Sequence, residues 1–530
     1  MRRCERDDQT NTATHNASVT RRTFMGAASS AALSVLMPRG VAASFPGSTP
    51  TAPINPRLLS SPDELWNSLE ALNQGGVPRF TGNDAHRKLV DMLHDDMQNA
   101  GLDVVRDSYT FPRWQVRKWS LTGLPASGGS SDLPTTFYYP HSGQTDPAGV
   151  TASVAYVGKI SSDGSSKPDL SSNLKGKIVF VDYEIVPTDY NTWYKPWNFY
   201  PSTVTIPPQA DGLGSYPHDG WSLKQYKDAG AVGVVFGWTN VSDEQATGQN
   251  WPFGQPLQGI PALLVGREVG SKIRHLAQEG GQLRLTLEAD VFQNSDTDSL
   301  VATLPGATRD EVLIVHTHTD GPNAIQENGG VPLVALAKYF AKLPASRRKR
   351  TLVFSLITGH DNSAYLPGKQ GSFIDRHPDL VKNAVAALTI EHIGCRDYHD
   401  DPQHTRYVQG RQDEMSYAMT HHQQLATLEL DSVSGTADRR VAIVEPLPTA
   451  RYLGIGGSLA ATGMPTLGYF GAPSYLNIVA PDGCISKLDK TRAHGQLEAY
   501  ARLLHKLDVV DKSDLKWLPP TPRRAGASSG

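Results

Sequence analysis

The chain has 530 residues, with 50 basic and 53 acidic side chains and a formal net charge of −3 at pH 7. A chain of this length is too long for one hydrophobic core, so two or three domains are expected. The balanced charge excludes the electrostatic footprint of a nucleic-acid partner or of an anionic membrane surface. Cysteine occurs at Cys4, Cys395 and Cys484, which excludes a disulfide-framework protein and a multi-cysteine zinc module.

The N-terminal stretch 1–43 has the features of a targeting segment. Paired Arg21 and Arg22 precede a weakly apolar run that ends at Met37, and small residues follow up to Ala43. This order resembles a twin-arginine signal peptide, which implies export by the twin-arginine machinery to a secreted or other extracytoplasmic location. No later segment approaches ~18 consecutive apolar residues, so no membrane span is expected.

Two amphipathic helices are predicted next, over 61–74 and 82–104. The second carries Leu89 and Leu93 on one face and ends at Gly101. Strand-like segments follow around 104–120.

Residues 146–292 read as a separate unit of short strands, with a helix that leads into Gly-Ala-Val-Gly-Val-Val and an Ile-Pro-Ala strand. This pattern resembles a protease-associated (PA) domain. Its middle is rich in aromatic side chains, and Trp193, Trp197 and Trp251 are candidates for binding sugar rings or peptide side chains. The alternative is that these rings form the small core of an enlarged insertion.

From residue 299 buried strands alternate with helices. Such alternation predicts an α/β fold with a mostly parallel or mixed sheet and helices on both faces. The tail 516–530 is predicted to be disordered. Strands are predicted at 300–306, 311–320, 350–358, 386–394 and 464–471, and helices at 330–344, 378–385 and 490–507.

Four polar clusters fall where these elements end. Open α/β sheets bind ligands beyond the carboxyl ends of their strands. Imidazoles and carboxylates converging there are the groups that bind a divalent metal and polarise water. The clusters are His316 to Asp320, Gln326-Glu327-Asn328, His360-Asp361 and Glu391-His392.

The order of these features resembles the M28 metallopeptidases over about residues 55–510, with a catalytic domain of 55–145 and 293–515 around the PA insertion. That family has an H-x-D strand, an Asp that bridges two zinc ions, a Glu-Glu pair, a further Asp ligand and a C-terminal His. The resemblance implies an exported metal-dependent hydrolase that acts on amide or peptide bonds.

Carried over residue by residue, the resemblance makes His318 a metal ligand and Asp320 the group that orients it. Glu327 stands at the bridging position and Glu391 at the later Asp position, each one methylene longer. His318, Glu327 and Glu391 then give three protein ligands for one zinc or other divalent ion. Asp361 falls on the second glutamate of the family's Glu-Glu pair. Asp361 and Glu327 would each serve as a metal ligand or as a catalytic carboxylate.

The departures change the expected chemistry. His360 stands where the catalytic glutamate is expected, and an imidazole can serve as the base. The C-terminal His is missing, and Asn477 lies near its place. A second metal position would retain only Glu327 and Asp361, so a single-ion site is expected.

Several of these residues have a structural interpretation. His316 is interpreted as a core histidine, and on a regular strand His392 points away from Glu391. The pair Cys395 and Cys484 is compatible with a disulfide or with two buried thiols.

Two other functions stay open. The chain could be a non-catalytic M28-like binding scaffold, or a hydrolase in which Glu327, Asp361 and Glu391 act without metal, for which the Trp-rich insertion suits a carbohydrate. Three of the family positions that changed keep a carboxylate, which favours a retained catalytic function.

Overall fold

A computed structural model describes residues 54–187, 189–206, 221–366, 371–447 and 452–519 of the chain. The predicted signal peptide, 1–43, lies outside the described residues, as does most of the predicted disordered tail. In the described part, no helix is both long and apolar enough to cross a lipid bilayer.

Fifteen strands of the described chain form one mixed sheet, and two more form a separate hairpin. The strands are β1 Asp103–Leu124, β2 Ser131–Asp132, β3 Phe137–Tyr138, β4 Val150–Ser161, β5 Ile178–Glu184, β6 Tyr194–Tyr200, β7 Gly233–Trp238, β8 Ala262–Val265, β9 Gln282–Leu304, β10 Thr308–His318, β11 Arg350–Ile357, β12 Ala384–Ile390, β13 Arg396–Asp400, β14 Tyr407–Asp413, β15 Ser416–Met419, β16 Val441–Pro446 and β17 Thr466–Gly471.

The α-helices of the described residues cover both faces of this sheet. They are α1 Pro62–Ala71, α2 Asp84–Asn99, α3 Leu223–Asp228, α4 Asp243–Ala246, α5 Arg267–Gln278, α6 Gly330–Ala341, α7 Gly371–Arg376, α8 Pro378–Asn383, α9 Gln423–Val433, α10 Gly456–Ala460 and α11 Lys490–Val509.

Strand β10 shows why the sheet needs helices on both sides. Leu313 and Val315 pack into the core that includes α1, α2, α6 and α11. Val312 and Ile314, on the opposite face, pack into a second core with residues of α7, α8 and α10. Because alternate side chains of a strand point to opposite faces, two apolar faces have to be covered.

The sheet runs in the order β3-β8-β7-β5-β4-β9-β11-β10-β12-β17-β15-β16-β6. β10 pairs in parallel with β11 and β12, and β12 pairs in parallel with β17. This mixed α/β sheet with helices on both faces confirms the predicted fold class.

A long antiparallel ribbon of β1 and β9 links this region to the predicted insertion. The two strands pair from Asp103↔Thr303 to Leu124↔Gln282. Within 146–292, β5, β7 and β8 run parallel and have a hydrophobic core of their own. The assignment of that unit as a PA domain stays a prediction.

One strand of residues 146–292, β6, lies outside this unit. β6 pairs antiparallel with β16 at the far end of the sheet, with Tyr200 opposite Val441. Part of the aromatic-rich middle of the insertion therefore belongs to the edge of the main sheet.

The helices and strands predicted from residue 311 onward agree with the structure within a few residues, whereas the strand predicted over 300–306 is the end of the longer β9. Seven elements of this region were not predicted from the sequence: α7, α9, α10, β13, β14, β15 and β16. The sequence analysis also did not anticipate that β1 and β9 extend over 22 and 23 residues.

Candidate metal and active site

The candidate site lies where the parallel strands β10, β11 and β12 end at one edge of the sheet. In this register His318 pairs with Ile357, and His316 pairs with Thr389. The residues that follow each strand, His360-Asp361 after β11 and Glu391 after β12, are therefore brought to the side where β10 ends. This is the convergence that the sequence predicted.

Three side chains meet there with potential ligand atoms within 4.8 Å of one another: His318, Glu391 and His392. All three are buried. Among the described residues this cluster joins two of the predicted ligands, His318 and Glu391, to a histidine that was not predicted. Glu327 and Asp361 are not members of it.

Both imidazoles are oriented by backbone carbonyls. Nδ1 of His318 donates to the Asp320 carbonyl at 3.0 Å, and Nδ1 of His392 donates to the Gly471 carbonyl at 2.7 Å. The Nε2 atoms of both rings are buried and accept no hydrogen bond from a described residue. Burial lowers the pKa of His318, and lowers that of His392 to about 3, so both Nε2 lone pairs are unprotonated at neutral pH.

Glu391 supplies the acidic group of the cluster. Its Oε1 accepts a hydrogen bond from the Ile455 backbone at 2.9 Å, and its Oε2 lies 3.6 Å from Nε2 of His318. Burial raises the pKa of Glu391 to about 7. Two neutral imidazoles and one carboxylate are a ligand set of catalytic zinc sites that keep a position open for substrate or water, so these residues fit a divalent ion.

The expected orientation of His392 is wrong. Strand β12 ends at Ile390, so the alternation of a regular strand no longer applies two residues later. His392 has a left-handed backbone, with φ of 54°, and its ring lies 6.1 Å from that of His318. His316 is a core histidine: its ring lies 5.8 Å from that of Phe373, and its Nδ1 is 3.0 Å from Oγ of Ser355.

Glu327 is paired with a cation of the protein. Nε and Nη2 of Arg79 both contact its Oε1, and both side chains are fully buried. Nη1 of Arg79 donates to the carbonyls of Leu72 and Gly76 at 2.8 and 2.6 Å. Burial still raises the pKa of Glu327 to about 7, against the opposing effect of Arg79. The guanidinium thus engages Oε1 of Glu327, whereas Oε2 is buried without a hydrogen-bond partner among the described residues, and the ligand role of Glu327 stays a prediction.

The backbone carbonyl of Asp320 orients His318, whereas its carboxylate accepts hydrogen bonds from three other residues. Oδ2 accepts hydrogen bonds from Oγ1 of Thr81 at 2.5 Å and from the Asp361 backbone at 2.9 Å. Oδ1 accepts from the Gly359 backbone at 3.1 Å. The carboxylate therefore joins the loops that follow β10 and β11.

His360 and Asp361 lie beside the cluster. The ring of His360 stacks on His318 with centroids 4.3 Å apart, and Nε2 of Gln326 lies 3.0 Å from its Nε2. An amide nitrogen can only donate, so Nε2 of His360 is the accepting, unprotonated atom. The carboxylate of Asp361 accepts no hydrogen bond from a described residue, and burial together with the charge of Asp320 raises its pKa.

The weaker substrate-binding candidates are not members of the ligand cluster. Trp193 packs at the β6 edge, and Nε1 of Trp197 donates to the Thr420 carbonyl at 3.1 Å. Trp251 is buried beside Phe253, and the Asn477 carbonyl accepts from the Asn250 backbone at 2.8 Å.

Both cysteines of the described chain are buried free thiols. Sγ of Cys395 lies 3.1 Å from the His392 carbonyl, and burial raises the pKa of both thiols to about 12. They are therefore packing residues and not nucleophiles.

A cavity of about 760 Å³ adjoins the site at Asp361. Its aromatic walls come mainly from Trp114, Trp119, Tyr138 and Phe292, which the sequence analysis did not select. The two tryptophans are five residues apart, and on a regular strand they would point to opposite faces. A bulge between Val116 and Lys118 brings both to the same face.

The fold is similar to solved structures of the M28 type. Peptidase M28 precursor from Shewanella amazonensis matches with a TM-score of 0.62 at 16% identity, over 87% of this chain and 95% of that one. BSAP, a zinc aminopeptidase from Bacillus subtilis, matches with 0.55 at 14% identity, over 87% and 100%. An aminopeptidase from Aneurinibacillus sp. strain AM-1 matches with 0.54 at 15% identity, over 84% and 93%.

These matches confirm the predicted M28-type fold. No family model matches the sequence, and no curated protein matches it by sequence.

The Arg79–Glu327 pair predicts a pH-dependent stability. In Arg79→Met the buried carboxyl loses its cation, so its folded pKa rises further above about 7. The folded state then binds a proton more tightly than the unfolded state, and stability falls as pH rises through that range. We expect a loss of about 3–5 kcal/mol at pH 8 relative to wild type and a smaller loss at pH 5, measured by urea denaturation.

The double variant Arg79→Met/Glu327→Gln should recover most of the stability that Arg79→Met loses at pH 8. Lys224→Met, which breaks an exposed pair with Asp228, is the control and should change stability little at either pH. Equal losses at both pH values in Arg79→Met would contradict this account of the pair.

Proposed function

We propose that this chain is a metal-dependent hydrolase of amide or peptide bonds with one divalent ion, most simply zinc, held by His318, Glu391 and His392. The observation that carries the proposal is the pair of buried, unpartnered Nε2 atoms that converge with Glu391. Each ring is fixed at Nδ1 by a carbonyl, the arrangement that orients metal-binding histidines. The fold shared with zinc aminopeptidases supports the same reading.

The ion, when bound, would act as a Lewis acid on the carbonyl of the scissile amide. The protein would do the rest with its own residues. His360, stacked on His318, is proposed as the base: its Nε2, once released by the Gln326 amide, takes a proton from the attacking water and returns it to the leaving amine. The ring of Phe253 lies 5.0 Å from that of His360 and helps to keep it in place.

The metal site can be tested by plasma mass spectrometry on protein purified without a histidine tag. We expect near one equivalent of a divalent ion in the wild type, and loss of most of it in His318→Ala and in His392→Ala. His316→Asn is the matched control, because His316 is a buried histidine of the same strand outside the cluster.

Two outcomes would contradict the proposed site. An ion retained in His392→Ala but lost in Glu327→Gln would return the ligand role to Glu327. A wild-type protein without metal after dialysis against zinc would exclude the metal-dependent mechanism and favour a binding scaffold.

The role of His360 predicts a separation of binding from turnover. His360→Gln should keep its metal content and the KM for an amino-acid anilide, and should lose about 10²–10⁴-fold in kcat. His275→Gln, on the exposed face of α5, should leave both constants unchanged. A variant that keeps full kcat would exclude His360 as the base.

We also propose export through the twin-arginine machinery, which is supported by the order of features in residues 1–43. Replacing Arg21 and Arg22 together by lysine should leave the uncleaved precursor in the cytoplasm, as detected by fractionation and immunoblotting. Unchanged export of this variant would contradict a twin-arginine signal.

A further inference from the structure

The carboxylate of Glu391 is held by a backbone turn from another part of the chain. Its Oε1 accepts a hydrogen bond at 2.9 Å from the N–H of Ile455, which is 64 residues further along the sequence. Its other oxygen, Oε2, lies 3.6 Å from Nε2 of His318. The two oxygens therefore have different surroundings: one is bonded to a backbone donor, and the other faces the ligand cluster.

Gly454, directly before this donor, leaves the room that the carboxylate needs. Its backbone is left-handed, with φ of 72°, a conformation that a residue without a Cβ adopts at little cost. A Cβ atom at this position would overlap Oε1 of Glu391 and would lie 3.4 Å from its Cδ. A side chain at 454 would thus displace the carboxylate from the Ile455 N–H and move its second oxygen as well.

Tyr452 fixes the same turn to the sheet. Its hydroxyl donates at 2.6 Å to the carbonyl of Met419, the last residue of β15. Its ring lies in a slot between glycines, since a Cβ atom at Gly456 or Gly468 would lie 2.9 or 3.0 Å from the ring carbon Cε1. The position of the Ile455 N–H therefore depends on how one aromatic ring packs against the sheet.

The turn gives Glu391 the kind of support that the two histidines of the cluster have. The rings of His318 and His392 are each fixed at Nδ1 by a backbone carbonyl. Groups that hydrogen-bond a metal ligand set its direction, and the loss of one typically weakens metal binding by about 10–100-fold. A carboxylate bonded through one oxygen to a backbone N–H offers its other oxygen in a fixed direction.

We propose that Gly454 and Tyr452 are positioning residues of the metal site. The turn that they form holds Oε1 of Glu391, so that Oε2 is the oxygen offered to a divalent ion. Both residues act through Glu391 and not on the ion itself. The inference rests on the proposed function, because it presupposes that the cluster binds an ion.

The test compares two Gly→Ala variants that strain the backbone equally. Gly454→Ala should weaken zinc binding by about 10–100-fold, measured by competition with a chelator on protein that circular dichroism shows to be folded. Gly435→Ala is the matched control, because Gly435 has φ of 80° and a Cβ atom there would meet nothing within 4 Å. It should keep the wild-type affinity.

Cobalt(II) loaded in place of zinc gives a second measurement. Its visible absorption bands report the geometry of the ligands, so they should change in Gly454→Ala and stay unchanged in Gly435→Ala. A purely structural role of Gly454 would lower the stability of the protein and leave both the affinity and the spectrum of the folded fraction as they are in the wild type.

Tyr452→Phe decides the question if Gly454→Ala does not fold. It keeps the ring and removes the hydrogen bond to Met419, and it should weaken zinc binding by about five-fold. Tyr139→Phe is its control, because the Tyr139 hydroxyl donates to the Trp221 carbonyl, also at 2.6 Å, within the core of the insertion. Zinc affinity equal to that of the matched control, in either variant, would overturn the proposal.

These measurements separate the inference from the proposed function. If the wild type binds zinc and Gly454→Ala binds it as tightly as Gly435→Ala, the inference is wrong and the metal-dependent hydrolase stands. If zinc binding depends on Gly454 as expected but the loaded protein hydrolyses no amide, the inference stands and the hydrolase does not. A wild type that binds no zinc would overturn both.

Discussion

The carboxylate of Asp320 holds the candidate site together. It accepts hydrogen bonds from Thr81 in the segment before α2, and from Gly359 and Asp361 in the loop after β11. The carbonyl of the same residue orients His318. Because one fully buried residue joins these segments, the position of the His318 ring and the direction of the Asp361 backbone depend on each other. A buried carboxylate with three donors is stable in a place where an unpaired one would not be.

The buried charges around Asp320 are compensated unequally. Arg79 compensates Glu327, whereas Asp361 and Glu391 have no guanidinium or ammonium partner among the described residues. Burial lowers the pKa of His318 and His392 and raises that of both carboxyls, so the histidines contribute lone pairs and no positive charge. The His318–Glu391–His392 cluster therefore combines two lone pairs with an acidic group, a combination that favours a cation.

Most of the fold was predictable because its elements are strongly patterned. Strands β10, β11 and β12 are continuous apolar runs, and α11 is a long helix with an Asp at its start, so local sequence defines them. β15 and β16 are short and pair with distant segments, among them β6 from the middle of the predicted insertion. Their pairing depends on contacts that no local pattern contains.

The sequence by itself determined which polar residues follow the strands of the sheet, and hence that His318, His360-Asp361 and Glu391 lie near one edge. Parallel strands impose this proximity whatever the rest of the fold does. Only the tertiary structure decided which of these residues share a site. The left-handed backbone at His392 turns its ring toward His318. Arg79, which is 248 residues from Glu327 in the sequence, pairs with that carboxylate. One bulge in β1 places Trp114 and Trp119 on the same wall of the cavity. These choices depend on backbone angles and long-range packing, which residue spacing along the chain does not encode.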